Sequence, residues 1–406
     1  MKQERPIRVL AADDSAVMRG IMAKLFGTHA QDRLSELPRM ELCGMARDGM
    51  ECLESVKQLQ PDVLVLDLEM PKLNGLDVLD RLRADHSKLP VIMCSSYTEY
   101  GARSTLEALA RGASDYVTKP AEQRDFASAM QSLSRQLLPR IAALAKDTVR
   151  KGEVRAGSSI GIPTAGLKVT STTKPLSPIE VIVIGLSTGG PAALEQLLPS
   201  LPADFPVPVL IVQHMPKLFT GALAERLDRC CALRVEQAYD DAMIRPGTIW
   251  LAPGDAHMEV APRRKMAGEE GGVTGMRGGR VRLHQQEPLN HCRPSVDYLF
   301  YSAARMYGAG ALALMMTGMG SDGLDGARAV HEGGGVVLAQ DEASSAVWGM
   351  PGRVSEAGIA DATLPLSAIA GALRQRVSGE WVTKHETGSR HPAVETARRE
   401  VQHGLL

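Results

Sequence analysis

Short hydrophobic runs alternate with segments that are apolar at helical spacing along most of this chain. In the first third, the runs that predict strands are residues 7–12, 63–66, 91–94 and 116–117. Such alternation is typical of a parallel sheet with helices on both faces. A helical pattern over residues 125–145 follows, and Pro139 is predicted to end or kink that helix. Residues 5–138 are therefore predicted to form one α/β domain.

A second α/β series begins near residue 179, with strands predicted at residues 181–184, 207–212, 248–251 and 311–316. Between the two series, Ser, Thr, Gly and Pro are enriched, as is typical of a flexible linker. We therefore predict two doubly wound parallel-sheet domains, residues 5–138 and 179–380, joined by a flexible linker, 139–178. The Gly-rich, charged segment 264–279 is predicted to be an exposed hairpin loop, and residues 381–406 a polar tail.

Composition narrows the classes of function. The 406 residues include 46 Lys and Arg against 47 Asp and Glu, and the formal charge of −1 gives no electrostatic reason to expect nucleic-acid binding. No apolar stretch approaches the ~20 residues of a membrane-spanning helix, so no membrane insertion is expected. The six cysteines form no C-x-x-C pair, which predicts neither a zinc site nor a disulfide framework and favours a cytoplasmic protein.

Acidic residues follow two predicted strands of the first domain. Asp13 and Asp14 come after the first strand, and Asp67 ends the run 63–67. The carboxyl ends of adjacent parallel strands meet at one edge of the sheet, where ligands bind. Three carboxylates there repel one another, which a hard cation such as Mg²⁺ relieves. Ser95 and Lys119 follow two further strands and supply a hydroxyl and an ammonium suited to an added phosphoryl group.

The second domain contains a candidate nucleophile in the run 181–191, V-I-V-I-G-L-S-T-G-G-P. A buried strand, a glycine turn and the start of a helix follow one another here. Gly185, Ser187 and Gly189 match the G-x-S-x-G nucleophile elbow, and the unpaired N–H groups nearby can stabilise an oxyanion. The alternative is a phosphate-binding or purely structural strand–helix turn.

A catalytic serine needs a base and an acid that orients the base. His214, at the end of a strand run, is favoured as the base over His257. Asp322 lies in a glycine-rich turn after residues 311–316, and spacing alone does not exclude Asp297 in the same role. The chain order Ser, His, Asp differs from that of α/β-hydrolases, which indicates a convergent triad on another doubly wound sheet.

Two other functions stay open at this point. Gly318, Gly320 and Gly323 spell G-x-G-x-x-G after a strand, and Asp341 stands where a ribose-binding acid belongs, so a nucleotide-dependent oxidoreductase is an alternative. Against it, the carboxylate of Asp322 inside that loop would repel a pyrophosphate. The other alternative is a signalling module whose second domain binds a partner without chemistry.

The first domain resembles the receiver domain of two-component response regulators. The matching residues are Asp13-Asp14-Ser15, Asp67 within D-L-E-M-P, Asn74-Gly75, Ser95-Ser96 and Lys119-Pro120. The resemblance implies a flavodoxin-like fold in which Asp67 accepts a phosphoryl group from a histidine kinase. It also implies that Asp14 and Asp67 hold Mg²⁺, with support from Asp13. Ser95 and Lys119 would then sense the phosphorylated state.

The second domain resembles the catalytic domain of the CheB family of chemotaxis protein-glutamate methylesterases, which implies a Rossmann-like serine esterase. The matching runs are 185–190, 213–216, 252–255, 293–297, 317–323, 339–342 and 349–351. The resemblance implies Ser187 as nucleophile, His214 as base and acid, and Asp322 as the orienting residue, and it discounts Asp297. Thr188 and the backbone N–H of Met319 would hold the substrate or oxyanion.

The family resemblance also implies partners and regulation. The substrates would be methyl-accepting chemotaxis receptors, from which γ-glutamyl methyl esters are removed and in which glutamines are deamidated. A chemotaxis histidine kinase would be the phosphodonor, Mg²⁺ the metal, and no organic cofactor is expected. The predicted linker and the order of the two domains lead us to expect that the unphosphorylated receiver covers the esterase cleft and that phosphorylation of Asp67 relieves this inhibition.

Overall fold

The structure, a computed structural model, describes residues 5–27, 37–120, 126–156, 177–263 and 279–379. The predicted hairpin loop, apart from Gly279, and the predicted tail lie outside the described residues, as does the linker between residues 157 and 176. Within the described ranges, no helix combines the length and the apolar character that crossing a bilayer requires.

The first domain is a five-stranded parallel sheet with the strand order β2-β1-β3-β4-β5. This is the flavodoxin-like order, as expected. The strands are β1 Ile7–Ala12, β2 Met40–Ala46, β3 Val63–Asp67, β4 Val91–Ser95 and β5 Asp115–Thr118. The helices are α1 Ala16–Leu25, α2 Gly49–Leu59, α3 Gly75–Ala84, α4 Glu99–Ala110 and α5 Phe126–Ala156.

The second domain is built on a seven-stranded parallel sheet with the order β15-β14-β13-β6-β7-β10-β8, beside a three-stranded antiparallel sheet, β11-β12-β9. The strands are β6 Val181–Leu186, β7 Val209–Gln213, β8 Arg234–Gln237, β9 Met243–Ile244, β10 Thr248–Leu251, β11 His257–Pro262, β12 Gly279–His284, β13 Ala311–Met315, β14 Val336–Gln340 and β15 Ala362–Leu364. The helices are α6 Gly190–Leu197, α7 Lys217–Cys230, α8 Val296–Tyr307, α9 Leu324–Glu332, α10 Met350–Glu356 and α11 Leu366–Ser378.

The central strands are buried along their whole length. Every residue of β3, β4, β6, β7 and β13 is buried. Strands covered by helices on both faces need such continuous apolar runs. The two sheets therefore confirm the prediction of two doubly wound α/β domains.

Helix α5 does not end at Pro139. It runs from Phe126 to Ala156 with Pro139 inside it, so the first part of the predicted linker is helical. Leu133, Leu137 and Ile141 follow one another at helical spacing and are fully buried against the first sheet. Burial of this apolar stripe stabilises the helix on both sides of the proline, which outweighs the missing backbone hydrogen bond.

Candidate active site

Ser187 follows β6 at a sharp turn that the neighbouring glycines make possible. Its backbone N–H donates to the carbonyl oxygen of Thr317 at 3.0 Å. Gly189 has a φ of 78°, in the left-handed region that favours glycine. A Cβ on Gly190 would lie 1.9 Å from Gln213 Oε1, so a larger residue there would displace the Gln213 amide, whose Nε2 donates to the Ser187 carbonyl oxygen. The turn thus fixes Ser187 at the carboxyl end of the sheet.

The three predicted triad residues follow three adjacent strands. β6 pairs with β13 on one side and with β7 on the other. Along the chain, the strands after β6 first extend the sheet on the side of β7, and the later strands β13, β14 and β15 extend it on the opposite side. The direction of winding therefore reverses at β6. Ligand sites of doubly wound sheets form at this reversal. Ser187, His214 and Asp322 therefore meet at the same edge.

His214 and Asp322 form a close, buried pair. His214 Nε2 lies 2.8 Å from Asp322 Oδ2. The Asp322 carboxylate also accepts hydrogen bonds from Ser295 Oγ at 2.6 Å, the Val296 N–H at 2.6 Å and Asn290 Nδ2 at 3.0 Å. With this many donors the carboxylate is held in one orientation and directs the imidazole.

Both groups of this pair have shifted pKa values. Burial would lower the pKa of His214, but hydrogen bonding and charge attraction from Asp322 and from Cys292 outweigh it and raise the pKa to about 10. Burial would raise the pKa of Asp322, but His214 and the donating Ser295 and Asn290 lower it to about 2. Asp322 is therefore ionised at neutral pH and makes His214 a stronger base than a free imidazole.

The other ring nitrogen of His214 faces away from Asp322. Its Nδ1 lies 3.7 Å from Cys292 Sγ. Ser187 Oγ makes no hydrogen bond to any residue that the structure describes, so the contact between nucleophile and base is not closed in this arrangement. Such contacts often tighten only when substrate is bound.

His257 and Asp297, the alternative candidates for the base and the orienting acid, form hydrogen bonds to other groups. His257 Nδ1 accepts a hydrogen bond from the Ser295 N–H at 3.2 Å, and its Nε2 lies 3.2 Å from the Glu287 carbonyl oxygen. Asp297 accepts hydrogen bonds from the Gly326 N–H at 2.7 Å and from Asn290 at 2.8 Å. Neither residue contacts His214 or Ser187 through these groups, so the geometry favours His214 and Asp322.

The two predicted substrate-holding groups lie beside Ser187, where the first domain meets them. Thr188 Oγ1 donates to Asp115 Oδ2 at 2.7 Å, and Arg140 Nε of α5 donates to the same oxygen at 3.0 Å. Nothing among the described residues accepts a hydrogen bond from the Met319 N–H. The Met319 side chain packs against the apolar cluster of the first sheet and α5, as does Val347. The first domain thus covers this side of the site.

An aromatic stack extends the contact between the domains. Phe219 of α7 is fully buried and stacks on Tyr116 of β5, with ring centroids 4.7 Å apart and planes at 12°. The ring of Tyr97 also stacks near Phe219, with centroids 6.3 Å apart. Arg103 of α4 forms an ion pair with Glu225 of α7 at 3.4 Å. Tyr97 and Tyr116 of the first domain therefore both contact α7 of the second.

The acidic residues of the first domain also meet, as predicted. Asp13, Asp14 and Asp67 offer carboxylate oxygens within 4.8 Å of one another. Lys119 Nζ lies 3.0 Å from Asp13 Oδ2 and 2.7 Å from Asp67 Oδ2. Burial, and then repulsion from Asp13, raises the pKa of Asp67 to about 6. One ammonium compensates three carboxylates only in part, so this donor set fits Mg²⁺.

Ser95 and Lys119 flank Asp67 at the edge of the sheet. Asp67 and Ser95 end the adjacent strands β3 and β4, and the Lys119 N–H donates to the Ser95 carbonyl oxygen at 2.7 Å. Burial would lower the pKa of Lys119, but its ion pairs with Asp67 and Asp13 raise it. A cavity of about 450 Å³ is lined by Asp14 of the acidic cluster and by Asn74 and Tyr100 among others.

Sequence reasoning missed three residues of the site, Asn290, Cys292 and Asp115. Asn290 and Cys292 lie in an irregular loop without hydrophobic periodicity, and Asp115 reaches Thr188 from another domain. The G-x-G-x-x-G loop is not free for a dinucleotide, because its Asp322 carboxylate is used by His214, Ser295 and Asn290.

Comparisons with known proteins match both domains. The family model for the response regulator receiver domain matches residues 9–131, and that for CheB methylesterase matches residues 182–373. A relative from Trichodesmium erythraeum named protein-glutamate methylesterase/protein-glutamine glutaminase is 41% identical, over 91% of this chain and 99% of its own. A relative of the same name from Nocardioides sp. is 44% identical, over 92% of this chain and 96% of its own.

Among solved structures, the CheB methylesterase catalytic domain of Thermotoga maritima is 38% identical, covers 48% of this chain and 98% of its own, and has a TM-score of 0.45. The relatives match across both domains and the segment between them, at identities well above those that show a fold alone. The chain therefore belongs to the CheB methylesterase family and carries a response regulator receiver domain ahead of its methylesterase domain.

Proposed function

We propose that this chain hydrolyses γ-glutamyl methyl esters of methyl-accepting chemotaxis receptors and deamidates receptor glutamines to glutamate. The observation that carries the proposal is the His214–Asp322 pair at the sheet edge where Ser187 follows β6. The names of the relatives support both activities. The direct test is release of methanol from methylated receptor membranes, and of ammonia from receptors that carry glutamine.

The reaction follows from the chemistry of the three side chains. His214 Nδ1, the ring nitrogen that Asp322 leaves free, takes the Ser187 proton as Oγ attacks the ester carbonyl carbon. The N–H of Met319 and the hydroxyl of Thr188 stabilise the oxyanion. The proton on His214 passes to the departing methoxide, and methanol leaves. Water, deprotonated by His214, then hydrolyses the acyl-serine to glutamate and free Ser187.

For the receiver, we propose that a histidine kinase phosphorylates Asp67. Asp14 and Asp67 would hold Mg²⁺, supported by Asp13, and the metal would offset charge at the phosphoryl oxygens. Ser95 and Lys119 stand beside Asp67, where a hydroxyl and an ammonium can bind the new phosphoryl group. All six cysteines are free thiols, which fits the cytoplasm as the compartment.

Inhibition by the unphosphorylated receiver is proposed from the contacts at Thr188. Asp115 holds the Thr188 hydroxyl, so this group does not point freely into the site. Phosphorylation would draw Ser95 and Lys119 toward Asp67, and β5, which carries both Asp115 and Tyr116, ends at Thr118, next to Lys119. A shift of β5 would therefore act on the Thr188 contact and on the Phe219 stack together.

Asp115→Ala is expected to raise methanol release without phosphodonor by about tenfold or more. It removes a hydrogen bond to a charged group, worth about 1.5–3 kcal/mol, that joins the domains. The matched control is Asp80→Ala, since Asp80 is an exposed aspartate on α3 that pairs with Arg111 within the receiver. Unchanged release by Asp115→Ala, in a protein that phosphodonor still activates, would contradict the proposed inhibition.

A further inference from the structure

The thiol of Cys292 lies beside the base His214, and the proposed reaction does not use this thiol. Cys292 Sγ lies 3.7 Å from His214 Nδ1 and 3.4 Å from the Asn290 carbonyl oxygen. Cys292 is half-buried, and its sulfur, the ring of His214 and the carboxylate of Asp322 lie within 4.8 Å of one another. An imidazole nitrogen and a thiolate sulfur are the donors that Zn²⁺ prefers in proteins.

The spacing of the two donor atoms suits one tetrahedral ion. Zinc binds histidine nitrogen at about 2.0–2.1 Å and cysteine sulfur at about 2.3 Å. At a tetrahedral angle these bond lengths place nitrogen and sulfur roughly 3.5 Å apart. The observed separation of 3.7 Å is close to this value.

Asp322 supplies the outer partner that zinc-binding histidines require. A metal-binding histidine almost always donates its second ring N–H to a carboxylate or carbonyl, which fixes the tautomer and strengthens the donor nitrogen. His214 Nε2 is 2.8 Å from Asp322 Oδ2, so the N–H belongs on Nε2 and the lone pair on Nδ1, on the side of Cys292.

The loop holds Cys292 in place. Leu289 and Cys292 exchange two backbone hydrogen bonds, of 3.2 and 2.9 Å, across a two-residue turn. Asn290 and His291 in that turn have φ values of 52° and 62°, both in the left-handed region. This is the backbone of a tight hairpin turn, in which asparagine is favoured. The sulfur is therefore presented to His214 by a defined turn.

We propose that His214 Nδ1 and Cys292 Sγ bind Zn²⁺ and that the bound ion inhibits the esterase. The inhibitory part rests on the proposed function, in which the same Nδ1 takes the proton of Ser187. Binding releases the thiol proton to solvent and occupies the Nδ1 lone pair, so the nitrogen can no longer act as a base. Two coordination positions are left for water, so chelators are expected to reverse the inhibition.

Co²⁺, a coloured substitute for Zn²⁺, tests the site without any assay of activity. Titrated into the full-length protein, it is expected to give a near-ultraviolet thiolate-to-cobalt charge-transfer band. The band should be lost in Cys292→Ser and Cys292→Ala and kept in Cys230→Ser, a control at an exposed cysteine on α7. A band that survives both Cys292 variants, or no band in the wild type, would overturn the proposal.

Zinc inhibition of methanol release is measured within each variant, with and without zinc and in the absence of phosphodonor. The zinc concentration for half inhibition should rise at least tenfold in Cys292→Ser, because loss of even outer partners of a metal site costs about 10–100-fold in affinity. Equal zinc sensitivity in wild type and Cys292→Ser would refute the inhibition. A Cys292-dependent cobalt band in a protein that releases no methanol would support the metal site and contradict the proposed function instead.

Discussion

Ser187→Ala is expected to lower methanol release by roughly 10⁶-fold, as loss of the nucleophile does in a comparable serine hydrolase triad. The alanine removes only the hydroxyl, since the backbone of the turn is held by Thr317 and Gln213. The fold and the domain contact should therefore persist, and the melting temperature serves to check this. Methanol release from methylated receptor membranes is the measurement.

The matched control is Ser378→Ala, because this exposed serine at the end of α11 bonds, among the described residues, only to the Gln375 carbonyl oxygen. It should keep full activity. If Ser187→Ala turned over at a rate close to that of the wild type, Ser187 would not be the nucleophile, and its turn would serve a structural purpose.

Asp322→Asn is expected to lower the rate by roughly 10⁴-fold, the cost of losing the orienting acid in such a triad. The asparagine amide accepts hydrogen bonds at one oxygen only, whereas the carboxylate accepts them at two. The variant therefore no longer enforces the tautomer and orientation of His214. Asp297→Asn is the control: Asp297 is also a buried acid near α9, but it bonds to Gly326 and Asn290 and not to His214. Its rate should fall far less.

The same variant should change the pH dependence. His214 must be neutral to accept a proton, so kcat/KM of the wild type should rise with pH through a pKa above 6.5, the ordinary value, toward about 10. Asp322→Asn removes one of the two groups that raise this pKa, Asp322 but not Cys292, and leaves the burial that lowers it. The acid limb should then move to lower pH. If the acid limb of the pH profile stayed at the same pH in Asp322→Asn, Asp322 would not control the basicity of His214.

Much of the fold was predictable because central strands are continuous apolar runs. Both faces of β3, V-L-V-L-D, and of β6, V-I-V-I-G-L, carry apolar side chains, so both faces must be covered. The edge strands β2 and β8 were missed, since they are only partly buried and mix polar residues into the run. The extension of α5 beyond Pro139 was missed because it depends on tertiary burial of Leu137 and Ile141.

The site divides in the same way. Ser187, His214 and Asp322 each follow a strand at one sheet edge, so their meeting follows from topology that the sequence encodes. The roles assigned to them stay predictions until the variants are measured. Asn290 and Cys292 depend on the path of an irregular loop. The contact of Asp115 with Thr188 joins residues 73 positions apart in different domains, which no local pattern specifies.

The most direct test of a receiver-controlled serine esterase is methanol release by the full-length wild type with and without a small phosphodonor and Mg²⁺, beside Asp67→Asn. The account predicts that phosphodonor raises release by the wild type only when Mg²⁺ is present, and leaves Asp67→Asn at its unstimulated rate. Equal release by the wild type under all conditions, or equal stimulation of Asp67→Asn, would contradict it.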